Sequence, residues 1–338
     1  MLNCNLPRRA WSAALAALAL ALCGAQAFAQ GFPNAKPLTL IVPFAAGSAT
    51  DTIGRIVADG LTQTLGQKVV VENRAGAGGA IGMEALAKAA PDGYTLAVAS
   101  TSTYVLTAAL GEKKPYNVLT DFTPVAITND LPLMVASTAQ IPPRNLKELI
   151  GYLKANHTTF VSAGPGTSAH VLGSALLYAA GGKGDAVHYK SSSAGIPDLL
   201  TGRVLYTVDG PGSVAGSIKE GKLVGMAIFA SKRVQILPDV PTMEEAWPEA
   251  PDYMKQASVS IILVPAKTPP DVAARLNSEI NRAMQDPAIR ERIEKAGLST
   301  RAPMSAEQIA ATLRRSVDVW TDAVTRTGIR DALKATSD

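Results

Sequence analysis

Two alternating patterns of apolar positions run through most of this chain. Short apolar runs rich in β-branched residues predict strands, at Leu38–Val42, Lys68–Glu72, Thr95–Ser100, Thr159–Ala163, Val204–Val208 and Val224–Ala230. Between them, apolar residues three and four positions apart predict helices, at 51–65, 79–90, 145–155, 168–180, 194–201 and 213–220. The predicted strands are apolar at nearly every position, which is typical of strands covered on both faces. The alternation therefore predicts an α/β fold with parallel-rich sheets and helices on both faces.

The last third of the chain changes to a helical pattern. Three amphipathic helices are predicted there with no strand between them, at Asp271–Met284, Pro287–Lys295 and Ser305–Thr325. Two extended segments flanked by prolines, Phe122–Ser137 and Ala257–Pro265, separate the blocks. We interpret them as strands that cross between two lobes. The first lobe is predicted to comprise residues 30–130 and 257–338, and the second residues 131–256, with a hinge and a ligand cleft between them.

Residues 1–29 have the pattern of a secretory signal. Arg8 and Arg9 precede the apolar run Trp11–Cys23, and the segment Ala27-Phe28-Ala29 follows it. A bilayer requires about 20 apolar residues, so this shorter run favours a cleaved signal over an N-terminal anchor. We therefore predict cleavage near Ala29/Gln30 and a mature chain that works in the periplasm.

Composition excludes several classes of function. Both cysteines, Cys4 and Cys23, lie in the predicted signal, so the mature chain is expected to have neither disulfides nor thiol chemistry. The net charge is only +4, and no run of Lys and Arg is interleaved with aromatic residues, which argues against nucleic acid as a partner. There are three histidines and no H-E-x-x-H motif, so no catalytic zinc or other metal site is predicted.

The turn Val42–Asp51 is the first of three that favour anion binding. In open parallel sheets, ligands bind beyond the carboxyl ends of the strands, where helix N-termini also point. Small residues in this turn allow backbone N–H groups to approach a ligand, and the helix dipole favours an anion. Asp51 has two interpretations, as the cap of the following helix or as an acceptor for a ligand.

Two further turns place hydroxyl groups ahead of helices. In Ser162–His170, the hydroxyls of Thr167 and Ser168 serve either as helix caps or as donors to a carboxylate, and His170 is either structural or a ligand donor. In His188–Gly195, one serine of the group 191–193 must cap the helix, while the others are spare donors. Lys190 in this turn is either a solvated surface lysine or a cation facing the cleft.

A fourth turn, Glu72–Gly82, is rich in glycine and imitates a dinucleotide-binding motif. A strict G-x-G-x-x-G that starts at Gly76 requires glycine at position 81, where the chain has Ile81. We interpret these glycines as a tight strand-to-helix connection that serves packing. No nucleotide or other cofactor is predicted.

The sequence offers little for catalysis. G-x-S-x-G is absent, since the frame around Ser193 begins with Ser191 in place of the first glycine. One enzymatic alternative remains open, a secreted serine hydrolase that uses a serine of 191–193 with His170 or His188. A third hypothesis is a carboxylate sensor that docks a signalling partner.

Taken in order, several short strings resemble the Bug (TctC-like) family of periplasmic solute receptors of tripartite tricarboxylate transporters. They span the mature chain at family-like spacing: Val42-Pro43-Phe44 with Gly47 and Thr50-Asp51, Val71–Gly79, Ala90–Leu96, Gly166–His170, Tyr189-Lys190, Asp198–Leu200 with Gly202, Gly221–Leu223 and Leu237–Thr242. The resemblance implies a Venus-flytrap, type II-like fold, a small organic mono- or dicarboxylate as ligand, and integral-membrane transporter subunits as partners. It implies no catalysis, and we expect a monomer.

The resemblance also implies a ligand site built from both lobes. One ligand carboxylate is expected at the turn after the first strand, and the other end at the Gly-Thr-Ser…His turn of the second lobe. With residues of the neighbouring turns, the predicted ligand-binding set is Phe44, Ala46, Gly47, Ser48, Asp51, Gly166, Thr167, Ser168, His170, Lys190, Ser192 and Asp209. The family pattern usually has glycine at positions 48 and 191 and often an acid at position 205. This chain instead has Ser48, Ser191 and Leu205.

Overall fold

The computed structural model describes residues 31–111, 114–326, 328 and 330, so the predicted signal at 1–29 lies outside the described residues. The strands are β1 (Leu38–Val42), β2 (Val69–Asn73), β3 (Thr95–Ser100), β4 (Phe122–Leu131), β5 (Leu133–Thr138), β6 (His157–Ser162), β7 (Lys183–His188), β8 (Tyr206–Asp209), β9 (Leu223–Phe229), β10 (Ser258–Pro265) and β11 (Ser299–Thr300). The helices are α1 (Ala49–Leu65), α2 (Ala80–Ala87), α3 (Thr107–Leu110), α4 (Leu146–Ala155), α5 (Ser168–Ala179), α6 (Ile196–Leu200), α7 (Pro211–Lys219), α8 (Met243–Ala246), α9 (Pro270–Met284), α10 (Pro287–Lys295) and α11 (Ala306–Arg326).

The strands form two sheets, which define the two lobes. The first lobe is built on a six-stranded sheet of order β11-β4-β10-β3-β1-β2, and the second on a five-stranded sheet of order β7-β6-β8-β5-β9. The chain passes from the first sheet to the second at Pro132, between β4 and β5, and returns between β9 and β10. This is the predicted two-lobed architecture.

Helices cover both faces of each sheet, as the apolar strands predict. In the first lobe, α1, α9 and α10 pack one face around Ile53, Val98 and Leu276, while α2, α3 and α11 cover the other. In the second lobe, α4 and α5 pack around Phe160, and α6 and α7 around Val161 on the opposite face. Each fully buried side chain of this size contributes about 1.5–3 kcal/mol to folding, so the fold is stabilised mainly by these layers.

The sheets are mixed rather than mainly parallel. β1 pairs in parallel with β2 and β3, and β6 with β7 and β8. By contrast, β10 lies antiparallel to both β3 and β4, and β5 lies antiparallel to β8 and β9. The two crossing strands cause this difference, because a strand that enters a lobe from its neighbour runs against the local βαβ direction.

Two strands were missed by the sequence prediction. β7 alternates exposed and half-buried residues at the edge of the second sheet, so it lacks the apolar run that identified the other strands. β11 lies between α10 and α11, where no strand was predicted. This two-residue strand is placed by a long-range contact, an ion pair of 2.6 Å between Arg301 and Asp130 of β4. Within the described ranges, no helix combines the length and apolar character needed to span a bilayer.

Candidate ligand-binding site

The turn after β1 ends in a serine-capped helix. Ser48 is the N-cap of α1, and its side chain accepts the Asp51 N–H at 3.1 Å. The helix begins at Ala49, two residues earlier than predicted, and Asp51 is not its cap. Ser48 therefore supplies the capping hydroxyl of α1, a contribution of about 0.5–2 kcal/mol to stability.

Asp51 instead stabilises the turn through hydrogen bonds to its side chain. Its buried carboxylate accepts from Gly47 N–H at 2.9 Å, from Asn73 Nδ2 at 2.8 Å and from Arg55 Nε at 3.0 Å. Burial acts to raise the pKa of this carboxyl, but hydrogen bonds from Arg55, Asn73 and Gly47 outweigh it and hold the pKa below its usual value. With its oxygens engaged in this way, Asp51 fixes the position of the loop and supplies an anion beside Arg55.

The backbone donors left for a ligand in this turn are not those of Gly47. The N–H groups of Ala46, Ala49 and Thr50 find no acceptor among the described residues. Ala46 is exposed and Phe44 is half-buried, with its carbonyl oxygen accepting from Asn73 Nδ2 at 3.0 Å. The first turn of α1 therefore presents unpaired donors at the positive end of a 17-residue helix.

In the second lobe, Thr167 caps α5. Its hydroxyl donates to Gly164 O at 2.8 Å and accepts from His170 N–H at 3.4 Å. Gly166 N–H donates to His170 Nδ1 at 3.2 Å. Hydrogen bonds thus join Gly166, Thr167 and His170 to one another, and the Thr167 hydroxyl is engaged in the helix cap.

His170 is held in its neutral form. Burial, followed by the nearby His188, lowers the pKa of His170 to about 4. Because Nδ1 accepts from Gly166, we assign the proton to Nε2, which makes this atom a donor. The ring of His188 meets that of His170 edge-on with centroids 5.0 Å apart, and burial lowers the pKa of His188 as well.

Ser168 connects the two lobes. Its N–H donates to Ser102 Oγ at 2.8 Å, and its hydroxyl lies 2.9 Å from the same oxygen. Ser102 belongs to the first lobe and follows β3, at the start of a π-helical turn over Thr101–Leu106. The sequence analysis missed this residue. The signal available for it was the hydroxyl-rich run Ser100–Thr103 directly after a predicted strand.

One serine of the third turn caps the following helical turn, as the sequence predicts. Ser191 is the N-cap of the following 3-10 turn, and its hydroxyl lies 3.0 Å from that of Ser193. Ser192 is buried. Lys190 is exposed and forms no ion pair within the described part of the chain. Neither histidine bonds a serine of this group, since His188 Nδ1 lies 3.0 Å from Ser162 Oγ. The geometry therefore supplies no nucleophile–base pair at 191–193.

Asp209 ends β8 with an unusual carboxyl group. Oδ1 accepts the Gly210 N–H at 2.7 Å, whereas Oδ2 is buried and has no hydrogen-bond partner among the described residues. Burial raises the pKa of Asp209 to about 6, against the opposing effects of Gly210 N–H and Ser213. The next residue, Gly210, lies beside α1 of the other lobe, because a Cβ built on it would be 3.9 Å from the Ala49 Cβ.

The glycine-rich turn before α2 has both a packing role and a place in the cleft. A Cβ on Gly79 would come within 2.6 Å of Thr103, and one on Gly82 within 2.8 Å of Pro43, which confirms the tight connection. Gly78 and its neighbours also line a cavity of about 20 Å³ between the lobes, opposite Pro165 and Gly166. A larger surface groove of about 510 Å³ lies elsewhere, between α1 and the region of α9 and α10, and contains none of the predicted site residues.

Comparison with known proteins identifies relatives along nearly the whole chain. The family model of the tripartite tricarboxylate transporter family receptor, TctC, matches residues 53–328. The chain is 34% identical over 316 residues to BugT of Bordetella pertussis, covering 93% of this chain and 95% of BugT.

Solved structures of similar fold include the periplasmic binding protein BugD, with a TM-score of 0.77 and 30% identity over 87% of this chain and 98% of BugD. MatC of Rhodopseudomonas palustris, solved with bound malate, has a TM-score of 0.78 and 30% identity over 86% of this chain and 99% of MatC. Rpa4515 of R. palustris, solved with adipate, has a TM-score of 0.79 and 25% identity over 88% of this chain and 98% of that protein.

Proposed function

Because this chain belongs to the TctC family of tripartite tricarboxylate transporter receptors, we propose that it captures a small organic carboxylate in the cleft between its lobes and delivers it to membrane subunits of such a transporter. Two of its structural relatives bind malate and adipate, which supports a carboxylate as ligand. The relatives are binding proteins, and we propose that this chain likewise performs no catalysis.

One observation carries the proposal: two long helices direct their N-termini into the space between the lobes. Ala49, the first residue of α1, lies against Gly210 of the second lobe, and Ser168, the first residue of α5, is bonded to Ser102 of the first. A helix N-terminus provides N–H donors and a partial positive charge, which suits a carboxylate. Two such ends on opposite lobes can hold one anion between them, so that binding and lobe closure support each other.

Neutral donors also suit a protein that must release its ligand. Among the predicted site residues, His170 is neutral because its pKa is lowered, and Asp51 is turned toward Gly47, Asn73 and Arg55. We propose that the predicted ligand-binding set surrounds the carboxylate and that the donors of the first lobe are the N–H groups of Ala46, Ala49 and Thr50. We also propose that residues 30–130 and 257–338 form the first lobe and that residues 131–256 form the second.

A proline substitution tests this proposal at the first residue of α1. Proline is well tolerated at that helix position and removes one N–H group. A thermal-shift screen of malate, succinate, adipate and monocarboxylates first identifies the preferred acid. Ala49→Pro should then weaken binding of that acid by about tenfold or more, since a charge-assisted hydrogen bond contributes roughly 1.5–3 kcal/mol. Calorimetry measures the change in affinity.

A matched control is available on α11. Ala306 is exposed and is also the first residue of a helix, preceded by Ser305, whose hydroxyl accepts from Gln308 N–H at 3.3 Å. Ala306→Pro should leave affinity unchanged. Equal affinities for wild type and Ala49→Pro would place the site elsewhere, and the absence of binding by any carboxylate would refute the function itself.

The predicted export remains part of the proposal, supported by the family to which the chain belongs. The mass of the protein recovered from a periplasmic extract tests export and cleavage directly, since cleavage near Ala29/Gln30 removes the first 29 residues. Recovery of the uncleaved chain in the cytoplasm would contradict both the predicted signal and the proposed location.

A further inference from the structure

The lobes meet at a second place besides the contact between Ser102 and Ser168. Gly212, in the first turn of α7, faces the C-terminal end of α10 in the other lobe, and a Cβ built on Gly212 would lie 3.2 Å from the carbonyl oxygen of Ala296. A Cβ built on Gly297 would in turn lie 3.4 Å from the backbone nitrogen of Gly212. Because neither glycine has a side chain, the backbones of the two lobes come into direct contact here.

Neighbouring side chains extend this contact in both lobes. Gln235 Nε2, in the loop after β9, donates to Glu294 Oε2 of α10 at 3.4 Å. In the same loop, Ile236 Cγ2 lies 3.3 Å from the position that a Cβ on Gly297 would take. The end of α10 therefore meets both the loop after β9 and the start of α7, through polar as well as apolar contacts.

The first-lobe side of this contact is held in place by the rest of its lobe. Gly297 ends α10 with a φ of +76°, a left-handed conformation that favours glycine, and the next residue, Leu298, is buried in the first-lobe core. β11 follows and pairs with β4, the strand that crosses to the second lobe, and Arg301 forms an ion pair of 2.6 Å with Asp130 of β4. The end of α10 is thus tied both to the core and to the crossing strand.

The second-lobe side is also held in place. Val214 and Ala215 of α7 are buried in the core of that lobe, and Ser213 N–H donates to Gly210 O at 3.0 Å. A side chain at position 212 therefore has little room to be accommodated by local movement. Valine carries two methyl groups on Cβ and has few allowed rotamers, so it would extend the 3.2 Å contact into a clash between the lobes.

The two interlobe contacts lie at different strand ends. In the second lobe, Ser168 follows β6 and Gly212 follows β8. In the first lobe, Ser102 follows β3 and Gly297 precedes β11, and β10 and β4 lie between those two strands in the sheet. Two separate contacts of this kind define one orientation of the lobes, because a rotation about either contact would disturb the other.

We propose that Gly212 and the segment Ala296–Gly297 form a steric stop that sets how far the lobes close, and that full closure requires a residue without a side chain at position 212. The stop consists of backbone atoms of the protein, so it acts whether or not a ligand is bound. None of the three residues belongs to the predicted ligand-binding set. The inference goes beyond the proposed function, and its test requires no ligand.

Cross-linking between the lobes measures closure. The hydroxyls of Ser102 and Ser168 lie 2.9 Å apart, so cysteines at both positions can form a disulfide when the lobes adopt the closed arrangement. In Ser102→Cys/Ser168→Cys, the rate of disulfide formation under a mild oxidant is proportional to the closed population. Mass spectrometry of the linked peptides distinguishes this disulfide from any that involves Cys4 or Cys23. Adding Gly212→Val should slow the rate about tenfold or more, and Gly212→Ala about threefold, because overpacking rises with the added volume.

Gly216→Val is the matched control. Gly216 is, like Gly212, an exposed glycine of α7, but no atom of the described residues outside its own helix lies within 4 Å of a Cβ built on it. This substitution should leave the cross-linking rate unchanged within about twofold, since it adds no contact between the lobes. Urea unfolding verifies that each variant is folded, and if Gly212→Val does not fold, the smaller effect of Gly212→Ala decides.

Two results would overturn the stop. One is a cross-linking rate in the Gly212 variants equal to that of Gly216→Val, and the other is the absence of the cross-link in Ser102→Cys/Ser168→Cys itself. Carboxylate binding by wild type is measured separately, so the proposed function can stand when the stop fails, and the stop can stand when no carboxylate binds.

Discussion

The carboxyl group of Asp209 should give the folded protein a measurable dependence on pH. Its Oδ2 is buried and has no hydrogen-bond partner among the residues that the structure describes, and burial raises the pKa of the carboxyl group from 3.8 to about 6. Between these two values, the unfolded chain has lost the proton while the folded protein keeps it. The folded state then binds more protons, so its stability falls as pH rises through this window.

The magnitude follows from the difference in pKa. A shift of about 2 units corresponds to about 3 kcal/mol, of which about 2 kcal/mol lies between pH 4.5 and pH 7.5. His170 has the opposite effect over nearly the same range, because its pKa is lowered from 6.5 to about 4 and its stabilising contribution is lost as pH falls. The two contributions largely cancel in wild type, so the effect of Asp209 has to be measured by difference.

The substitution Asp209→Asn isolates the contribution of the Asp209 carboxyl group to the pH dependence of stability. The amide keeps an acceptor for Gly210 N–H and cannot ionise, so any constant cost of the substitution cancels when two pH values are compared. Urea unfolding at pH 4.5, 6.0 and 7.5 gives the free energy of unfolding of both proteins. The stability of wild type minus that of the variant should fall by about 2 kcal/mol across this range.

The exposed Asp239 provides a control, since Asp239→Asn changes the charge identically at a position in contact with solvent. Its difference from wild type should stay nearly constant with pH. A difference for Asp209→Asn that is constant within about 0.3 kcal/mol, or that rises with pH, would show that the Asp209 carboxyl is not destabilised by burial.

Two other predictions concern hydroxyl groups at α5. Thr167→Val should lower the free energy of unfolding by about 1 kcal/mol and leave ligand affinity unchanged in the folded protein, because the hydroxyl is engaged by Gly164 and His170. Thr167→Ser should restore the stability. A loss of affinity without a loss of stability in Thr167→Val would show that this hydroxyl binds the ligand instead. Ser102→Ala should raise the ratio of open to closed protein about fivefold, since it removes contacts with Ser168 worth about 1 kcal/mol. Small-angle scattering measures this ratio through the radius of gyration, and Ser278→Ala, at an exposed serine, is the control. An unchanged radius of gyration in Ser102→Ala would contradict the prediction.

Local features of the site could be predicted from the sequence. The small residues and hydroxyls at 45–51 and 162–170 indicate helix N-termini, because capping depends on residues within four positions of one another. The structure confirms the cap at Thr167, whereas the first helix is capped by Ser48 and not by Asp51, and both turns lie at the carboxyl ends of their strands. Most element boundaries are likewise set by apolar periodicity, and they differ from the prediction by one to two residues.

Contacts between distant residues could not be predicted in this way. Ser102 and Ser168 are 66 residues apart and belong to different lobes, so no local pattern relates them. The antiparallel pairing of β10 also depends on which strands cross between the lobes, whereas the alternation of strands and helices suggests parallel pairing alone. The role of Asp51 depends on Arg55 and on Asn73 of β2, a partner that becomes adjacent only in the sheet.

The bond between Ser102 and Ser168 has a consequence for building fluorescent biosensors on this scaffold. Such sensors report ligand through the distance between dyes attached to the two lobes. Both partners of this bond belong to the protein, so it favours the short distance whether or not a ligand is bound. The baseline signal then includes a closed population, and the dynamic range is compressed. A sensor designer would therefore begin by replacing Ser102, before any dye position is optimised.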